Sequence, residues 1–186
     1  MRALPERQAT LQTERLLLRP LQERDAERIS MIADDAELVR YMSDSLPHPY
    51  TVVHAVAFIA ASHRDYREQE DIEFAITLRE DESLIGLVGM DLNTKDDHVT
   101  LGYWIGKPWW GRGYMSEAVR EIVRYSFEEL ELHRVASHHF HPNTASGKVL
   151  QKAGLKYEGR RKEHYKKGDR FFDIIDYGVV RSEWEG

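Results

Sequence analysis

Cysteine is missing altogether from the 186 residues. That one absence removes disulfides, thiolate metal sites and thiol nucleophiles together, so any chemistry must come from oxygen, nitrogen or backbone groups. Long apolar runs are missing too: nowhere do about 18 apolar residues follow one another, and no charged-then-apolar leader opens the chain. A soluble, cytoplasmic protein without a membrane partner is expected. Positive charge is in deficit. With 26 basic against 32 acidic residues the formal net charge is -6, which argues against nucleic acid as a partner and suits a cationic one. No Gly/Ser linker, internal repeat or low-complexity tract divides the chain. One domain over residues 1–186 is therefore expected, long enough to bury a core.

What is present alternates between helical and extended patterns. Leu16-Leu17-Leu18, closed by Arg19-Pro20, reads as a buried strand, and Asp25 is placed to cap a helix running to about Met42. Val52, Val56, Ile59 and Tyr66 recur at helical spacing, which predicts a second helix packed on a flat surface. Three short β-rich segments follow, Phe74–Leu78, Leu84–Met90 and Val99–Ile105, separated by polar turns as in an antiparallel meander. Beyond Gly113 the period changes: Met115, Ala118, Val119, Ile122, Val123, Phe127 and Leu130 form one helical stripe. Arg134–Phe140 reads as a further strand, Pro142-Asn143 opens a short helix ending at Gly154, and two extended stretches flank Lys167-Gly168-Asp169 as a hairpin. The fold class predicted is a mixed α/β sheet with few parallel crossovers.

The strand-to-helix junction carries the strongest local signal, Trp110-Gly111-Arg112-Gly113-Tyr114-Met115. Two glycines let the backbone turn tightly and aim successive N–H groups at one spot, and the helix N-terminus adds partial positive charge there. Such a turn suits a pyrophosphate, although spacing alone equally describes a plain strand-to-helix turn. A dinucleotide fingerprint would need glycine where Ser116 stands, and the Gly-Lys-Ser/Thr of a Walker loop is absent, so NAD and ATP are poor candidates.

These residues, taken with Thr13–Pro20, Leu101-Gly102-Tyr103-Trp104-Ile105, Ser116-Glu117-Ala118, Asn143-Thr144-Ala145-Ser146, Leu150–Leu155, Glu158-Gly159 and Asp173–Tyr177, resemble the GNAT family of N-acetyltransferases. The likeness is to its Rim-type branch, which includes acetyltransferases of ribosomal-protein N-termini. The resemblance spans nearly the whole chain. It implies a mostly antiparallel sheet with one splayed parallel strand pair, and acetyl-coenzyme A as co-substrate. The backbone amides of Trp110, Gly111, Arg112, Gly113, Tyr114 and Met115 would hold its pyrophosphate, and the strand edge Trp104, Ile105 and Gly106 would hold its pantetheine arm. Asn143 would contact that arm, and Ser146 would be the acid for the leaving thiolate. One departure is Pro108, where the family often carries Gln or Arg, so a side-chain contribution to the coenzyme is lost there.

The chemistry can be stated independently. Attack on a thioester needs a neutral amine, a donor for the carbonyl oxygen as it gains charge, and a proton for the thiolate. A backbone N–H near Ile105 suits the oxygen, while Asn143 and Ser146 are equally readable as a helix N-cap and its first turn. For the base, Glu73, Asp91 and Glu163 are candidates at strand ends. Some Rim-type relatives place a Glu 19 residues after the serine, where this chain has Tyr165, with Glu163 two positions earlier. An α-amine of pKa about 8 is partly neutral already and can lose its proton to water.

Other features point less sharply. Histidines 133, 138, 139 and 141 raise a metal site, with His139 and His141 on one face of a strand, but no third ligand at suitable spacing is evident and no metal is expected. Trp109 and Trp110 can wall the acyl site or pack. Residues 156–170 carry seven Lys/Arg against three Asp/Glu, a charge for the ribose phosphate or a solvated face. Asp25, Glu27, Asp34, Asp35, Glu37, Asp65, Glu68 and Glu70 make the early helices acidic, which would steer a cationic amine. The reading is an N-acetyltransferase acting on a primary amine in a ternary complex, as a possible homodimer. The alternative is a non-catalytic acyl-coenzyme A-binding module of the same fold.

Overall fold

Strand β3 (Asp71–Leu78) shows how side-chain alternation divides the molecule. Successive residues of a strand point to opposite faces. Ile72, Phe74 and Ile76 enter one apolar cluster, and Ala75 enters another. In the computed structural model, which describes residues 3–42 and 46–186, this division runs through an eight-stranded sheet ordered β1-β2-β3-β4-β5-β6-β8-β7. The remaining strands are β1 (Leu11–Gln12), β2 (Leu16–Pro20), β4 (Leu84–Asn93), β5 (His98–Ile105), β6 (Arg134–Phe140), β7 (Lys156–Lys167) and β8 (Arg170–Val180). All neighbouring pairs are antiparallel except β5 and β6. The mixed sheet with one parallel pair and a closing hairpin is thus present, and Gly168 turns that hairpin at a φ of 57°.

Helices cover the sheet unevenly. On the front face α1 (Ala26–Ala33) and α3 (Val52–Arg67) set Ile29, Ala55 and Ile59 against Ala75 and Leu87. On the back, α4 (Tyr114–Glu128) and α5 (Thr144–Lys152) set Val119, Ile122 and Leu150 against Phe74, Val88 and Leu101. Each large side chain so buried contributes about 1.5–3 kcal/mol. Tyr125 adds an edge-to-face contact with Phe74 at 6.0 Å. The front helices lie over β3 and β4, whereas β6 and β8 present polar Arg134, His138 and Asp176 on that side.

Three expectations need correction. The first helix does not run from Asp25 to Met42: it stops at Asp34, and Asp35, in extended geometry, restarts it as α2 (Ala36–Val39) by accepting from the Glu37 and Leu38 N–H groups. Adjacent aspartates interrupt a helix because their carboxylates compete for backbone donors. Asp25 does not cap α1. Its carboxylate takes a bidentate bond from Arg19, at 2.7 and 2.8 Å, with both side chains buried. Finally, β3 begins at Asp71 rather than Phe74, because polar Asp71 and Glu73 alternate with Ile72 and so hide the strand's start.

Candidate active site

The parallel pair holds together for only four residues. β5 and β6 are in register from His98↔Arg134 to Leu101↔Ser137, where the Ser137 hydroxyl donates to the Leu101 carbonyl at 2.8 Å. Beyond that point β5 stays on β4 and β6 stays on β8, so the two strands part. A cleft of about 500 Å³ opens between them, lined from the apex outwards by Gly102, Tyr103, Ile105, His138, Asn143 and Ser146. The Gly106 N–H donates to Ile85 on β4. Antiparallel alternation therefore turns the backbone groups of Tyr103 and Ile105 the other way, into the cleft. The Ile105 carbonyl is taken by the Trp110 indole N–H at 2.7 Å.

At the cleft mouth stands the glycine turn. Gly111 and Gly113 have φ of 73° and 82°, left-handed values that side chains rarely adopt, and a Cβ on Gly111 would meet nothing within 4 Å. Gly113 is the residue from which α4 starts, so the unpaired N–H groups of that helix face the opening. The turn is braced from behind. Arg15 lies 4.4 Å over the Tyr114 ring, donates to the Arg112 carbonyl, and pairs with Glu117. Burial pushes the Glu117 carboxyl up, but bonds from Thr13 and Arg15 outweigh it and hold the group below its usual range.

Asn143 caps α5, its side-chain oxygen accepting from the Ser146 N–H at 3.3 Å, which leaves the amide NH2 to donate elsewhere. Ser146 is tied across the cleft. Its hydroxyl lies 2.8 Å from the Tyr103 hydroxyl, which also donates to the Ser146 carbonyl at 3.2 Å. Burial raises the Tyr103 pKa, partly offset by the Ser146 bond, so the phenol stays protonated. A tyrosine and a serine thus share one bond on the back face of the apex.

Most of the sequence candidates meet here. Trp104, Ile105, Trp110, Gly111, Gly113, Tyr114, Met115, Asn143 and Ser146 all line the cleft. Gly106 and Arg112 do not: Gly106 is required by packing, since a Cβ would lie 2.8 Å from both Ile32 and the Trp109 ring. The candidate bases are elsewhere. Glu163 is exposed on β7, where the register slips between Arg161 and Tyr165, and its N–H donates to Asp173. Glu73 lies over Gly89 on the front face, its carboxyl raised well above normal by burial and then by Asp71 and Asp65, and Asp91 is exposed nearby.

The histidines do not converge. His139 is buried, stacked on Tyr177 at 5.7 Å and bonded through Nδ1 to the Phe140 carbonyl, while His141 lies beyond the strand. Among the described residues the one group of three His, Asp or Glu able to share an ion is Asp65, Glu68 and Glu70, at the end of α3. Three of the seven basic residues of the hairpin are paired with carboxylates, Arg160 with Asp173, Arg161 with Asp176 and Lys156 with Glu183 beyond the hairpin. Sequence reasoning missed Tyr103 and His138 as cleft residues. Only the strand parity of the splayed pair could have found them.

A split parallel pair with a glycine turn at its mouth is the candidate site of an acyl-coenzyme A-dependent acyltransferase. Residues 15–156 match the family described as acetyltransferase (GNAT) domain, and the chain belongs to that family as an acetyl-coenzyme A-dependent N-acetyltransferase. It is 30% identical over 172 residues to the protein called Uncharacterized N-acetyltransferase YoaA of Bacillus subtilis, covering 92% of this chain and 96% of that one. Rim-type relatives are among its matches. The ribosomal protein uS5-alanine N-acetyltransferase of Escherichia coli is 25% identical over 183 residues, 94% of this chain and 92% of that one. In fold it is similar to a GNAT-family acetyltransferase from Bacillus anthracis, with a TM-score of 0.84 at 23% identity over 94% of this chain and all of that one. Among the described residues no helix is long and apolar enough to cross a membrane.

Proposed function

We propose that the protein binds acetyl-coenzyme A and a primary amine together and transfers the acetyl group by direct attack, the amine being a protein N-terminus or a small molecule. The observation that carries this reading is the parting of β5 from β6 after Leu101 and Ser137, with the backbone N–H groups of Tyr103 and Ile105 turned towards the gap. The N–H groups from Gly111 to Met115 hold the pyrophosphate, the Trp110 N–H being given to the Lys107 carbonyl at 3.1 Å, and the edge at Trp104 and Ile105, rather than the packed Gly106, shapes the channel for the pantetheine arm. Asn143 donates to that arm. The nitrogen lone pair forms the N–C bond, the Tyr103 or Ile105 N–H steadies the oxyanion, and the C–S electrons leave on sulfur. Ser146 protonates the thiolate and recovers its proton from solvent. Direct transfer is favoured over an acyl-enzyme because the chain has no cysteine and the Ser146 hydroxyl is bonded to the Tyr103 hydroxyl rather than to an activating base.

This reading extends to a metal-free cytoplasmic enzyme and to a homodimer. The dimer is supported by the edge position of β7 and by exposed Tyr157 and Phe171 on the hairpin. The test begins with thermal unfolding in the presence of acetyl-coenzyme A. At about 100 times the dissociation constant, linkage gives about 2.7 kcal/mol, a rise of roughly 5–11 °C for this size. A panel of alanine- and serine-initiated peptides, spermidine and lysine is then followed by mass for the added acetyl group. A thermal shift with no acetylated product would favour the non-catalytic binding module, and no shift would overturn the coenzyme site itself.

A further inference from the structure

The two faces of the cleft apex divide the reaction. On the back, Tyr103 and Ser146 share their hydroxyl bond. On the front, the first residues beyond the last paired couple are Gly102 on β5 and His138 on β6. Their neighbours fix this placement. Leu101 is buried in the back cluster, and His139 is buried against Tyr177 with its Nε2 close to Gly147 of α5, so alternation turns Gly102 and His138 forward. A Cβ on Gly102 would meet nothing within 4 Å, so the space before the apex is open. His138 flanks that space and lines both the cleft and the groove that continues from it over Thr100, Ala136 and Asp176.

If the thiolate is protonated from the back, the amine must come from the front, over Gly102, and its proton must leave on that side. We infer that His138 is the general base, its imidazole taking the proton from the amine nitrogen as the N–C bond forms and passing it to solvent through the front groove. This rests on the transfer reading above.

The surroundings suit the task. Among the described residues His138 makes no hydrogen bond through its ring, whereas His139 spends Nδ1 on a backbone carbonyl. The groups facing His138 are Arg161 and His164 from β7 and Asp176 from β8, with Glu37 of α2 across the cleft and His139 next along the strand on the opposite face. His138 is solvent-exposed at the open front of the cleft, and the partial desolvation it keeps there lowers its pKa, with Arg161 lowering it further. Asp176 opposes them, its carboxylate already engaged by the Arg161 guanidinium at 2.6 and 2.7 Å. The imidazole is therefore neutral, and able to accept, at pH 7. Glu73, by contrast, does not line the cleft.

The experiment compares wild type, His138→Gln and His138→Ala with acetyl-coenzyme A and every amine of the panel that the wild type acetylates. The expected result is a kcat about 100-fold lower in both variants. The KM for acetyl-coenzyme A and the thermal shift it causes should be unchanged. The acid limb of the wild-type kcat profile, below pH about 6.5, should disappear in both variants, and added imidazole should partly restore His138→Ala. Wild-type kcat and an unaltered pH profile in His138→Gln would overturn the assignment while leaving the transferase intact. Absence of any acetylated amine with wild type would overturn the transfer reading and the assignment with it.

Discussion

The two ends of the sheet are held by different forces. Around β3 and β4, helices cover both faces, and Ile72, Phe74, Ile76, Ile85 and Val88 are fully buried. At the other end β7 is exposed along nearly its whole length, and its front is a lattice of ion pairs, Arg134 on Glu158 and Arg161 on Asp176 among them. Exposed pairs of this kind contribute only about 0–1 kcal/mol each. The covered end therefore supplies the stability, and the bare end supplies shape and charge at modest cost. The cleft runs along the seam between them, where β5 belongs to one end and β6 to the other. Substitutions on either side should separate the two roles.

The largest effect is expected inside the covered half. Arg19 and Asp25 are both more than nine-tenths buried, and Asp25 also accepts from the Gln22 N–H at 2.8 Å. Asp25→Ala strands the guanidinium without a counter-charge and should cost about 3–5 kcal/mol, read as the shift in urea midpoint at constant slope. The fraction still folded should acetylate with unchanged kcat. A loss below about 1 kcal/mol would place this pair with the surface ones and break the contrast.

Ser146→Ala tests the seam in the opposite direction. The Tyr103 hydroxyl keeps the Ser146 carbonyl as an acceptor, so stability should hardly move. On the proposal that Ser146 is the thiolate's proton donor, kcat should fall about 100-fold, with the KM for acetyl-coenzyme A unchanged. A fall in unfolding temperature of several degrees without a kcat effect would make the Tyr103–Ser146 bond structural.

The same contrast explains what could be read in advance. Periodicity is a signal of burial, so the stripe from Met115 to Phe127 and the apolar run Leu84–Met90 gave their elements away, and the glycines at 111 and 113 marked a turn because no other residue adopts that backbone freely. β7 was legible only as one arm of a hairpin, since twelve mostly polar residues carry no alternation. The base candidates drawn from strand ends missed the cleft for a related reason. Where Glu163 points on β7 depends on a register slip against β8 that leaves no trace in composition. His138 and Tyr103 became visible only when the last paired couple fixed which face each side chain takes.

Asp71 gives a pH-dependent version of the test, because it lies in the covered half but serves no packing role there. Burial, then Asp91, lifts its pKa to about 6, and one carboxylate oxygen is buried without a partner. A carboxyl whose folded pKa exceeds its unfolded value of about 3.9 binds more protons when folded. Its stability contribution is therefore greatest below pH about 4 and is lost as the pH rises towards 6. Asp71→Asn should accordingly gain about 1–2 kcal/mol at pH 7, after allowance for partial exposure, and show no gain at pH 4. Equal stability of the two proteins at both pH values would show that the carboxyl is solvated as in the unfolded chain.

The smallest effect concerns a clamp between the two halves on the front of the cleft. Lys167, at the tip of the bare hairpin, donates to the Val39 and Met42 carbonyls at 2.7 and 2.6 Å, the first of them at the end of α2. A cation on the last carbonyls of a helix is worth about 0.3–1 kcal/mol. α2 itself has only four residues, and this tie adds to the Asp35 cap and the buried Leu38 in holding it. Leu38, Tyr41 and Met42 line the front of the cleft and not the glycine turn. Lys167→Met should thus lower the unfolding temperature by less than about 4 °C, raise the KM for the amine a few-fold, and leave the KM for acetyl-coenzyme A alone. If instead the coenzyme KM moves and the amine KM does not, the front wall is not the acceptor's wall, and the assignment of the two cleft faces would have to be reversed.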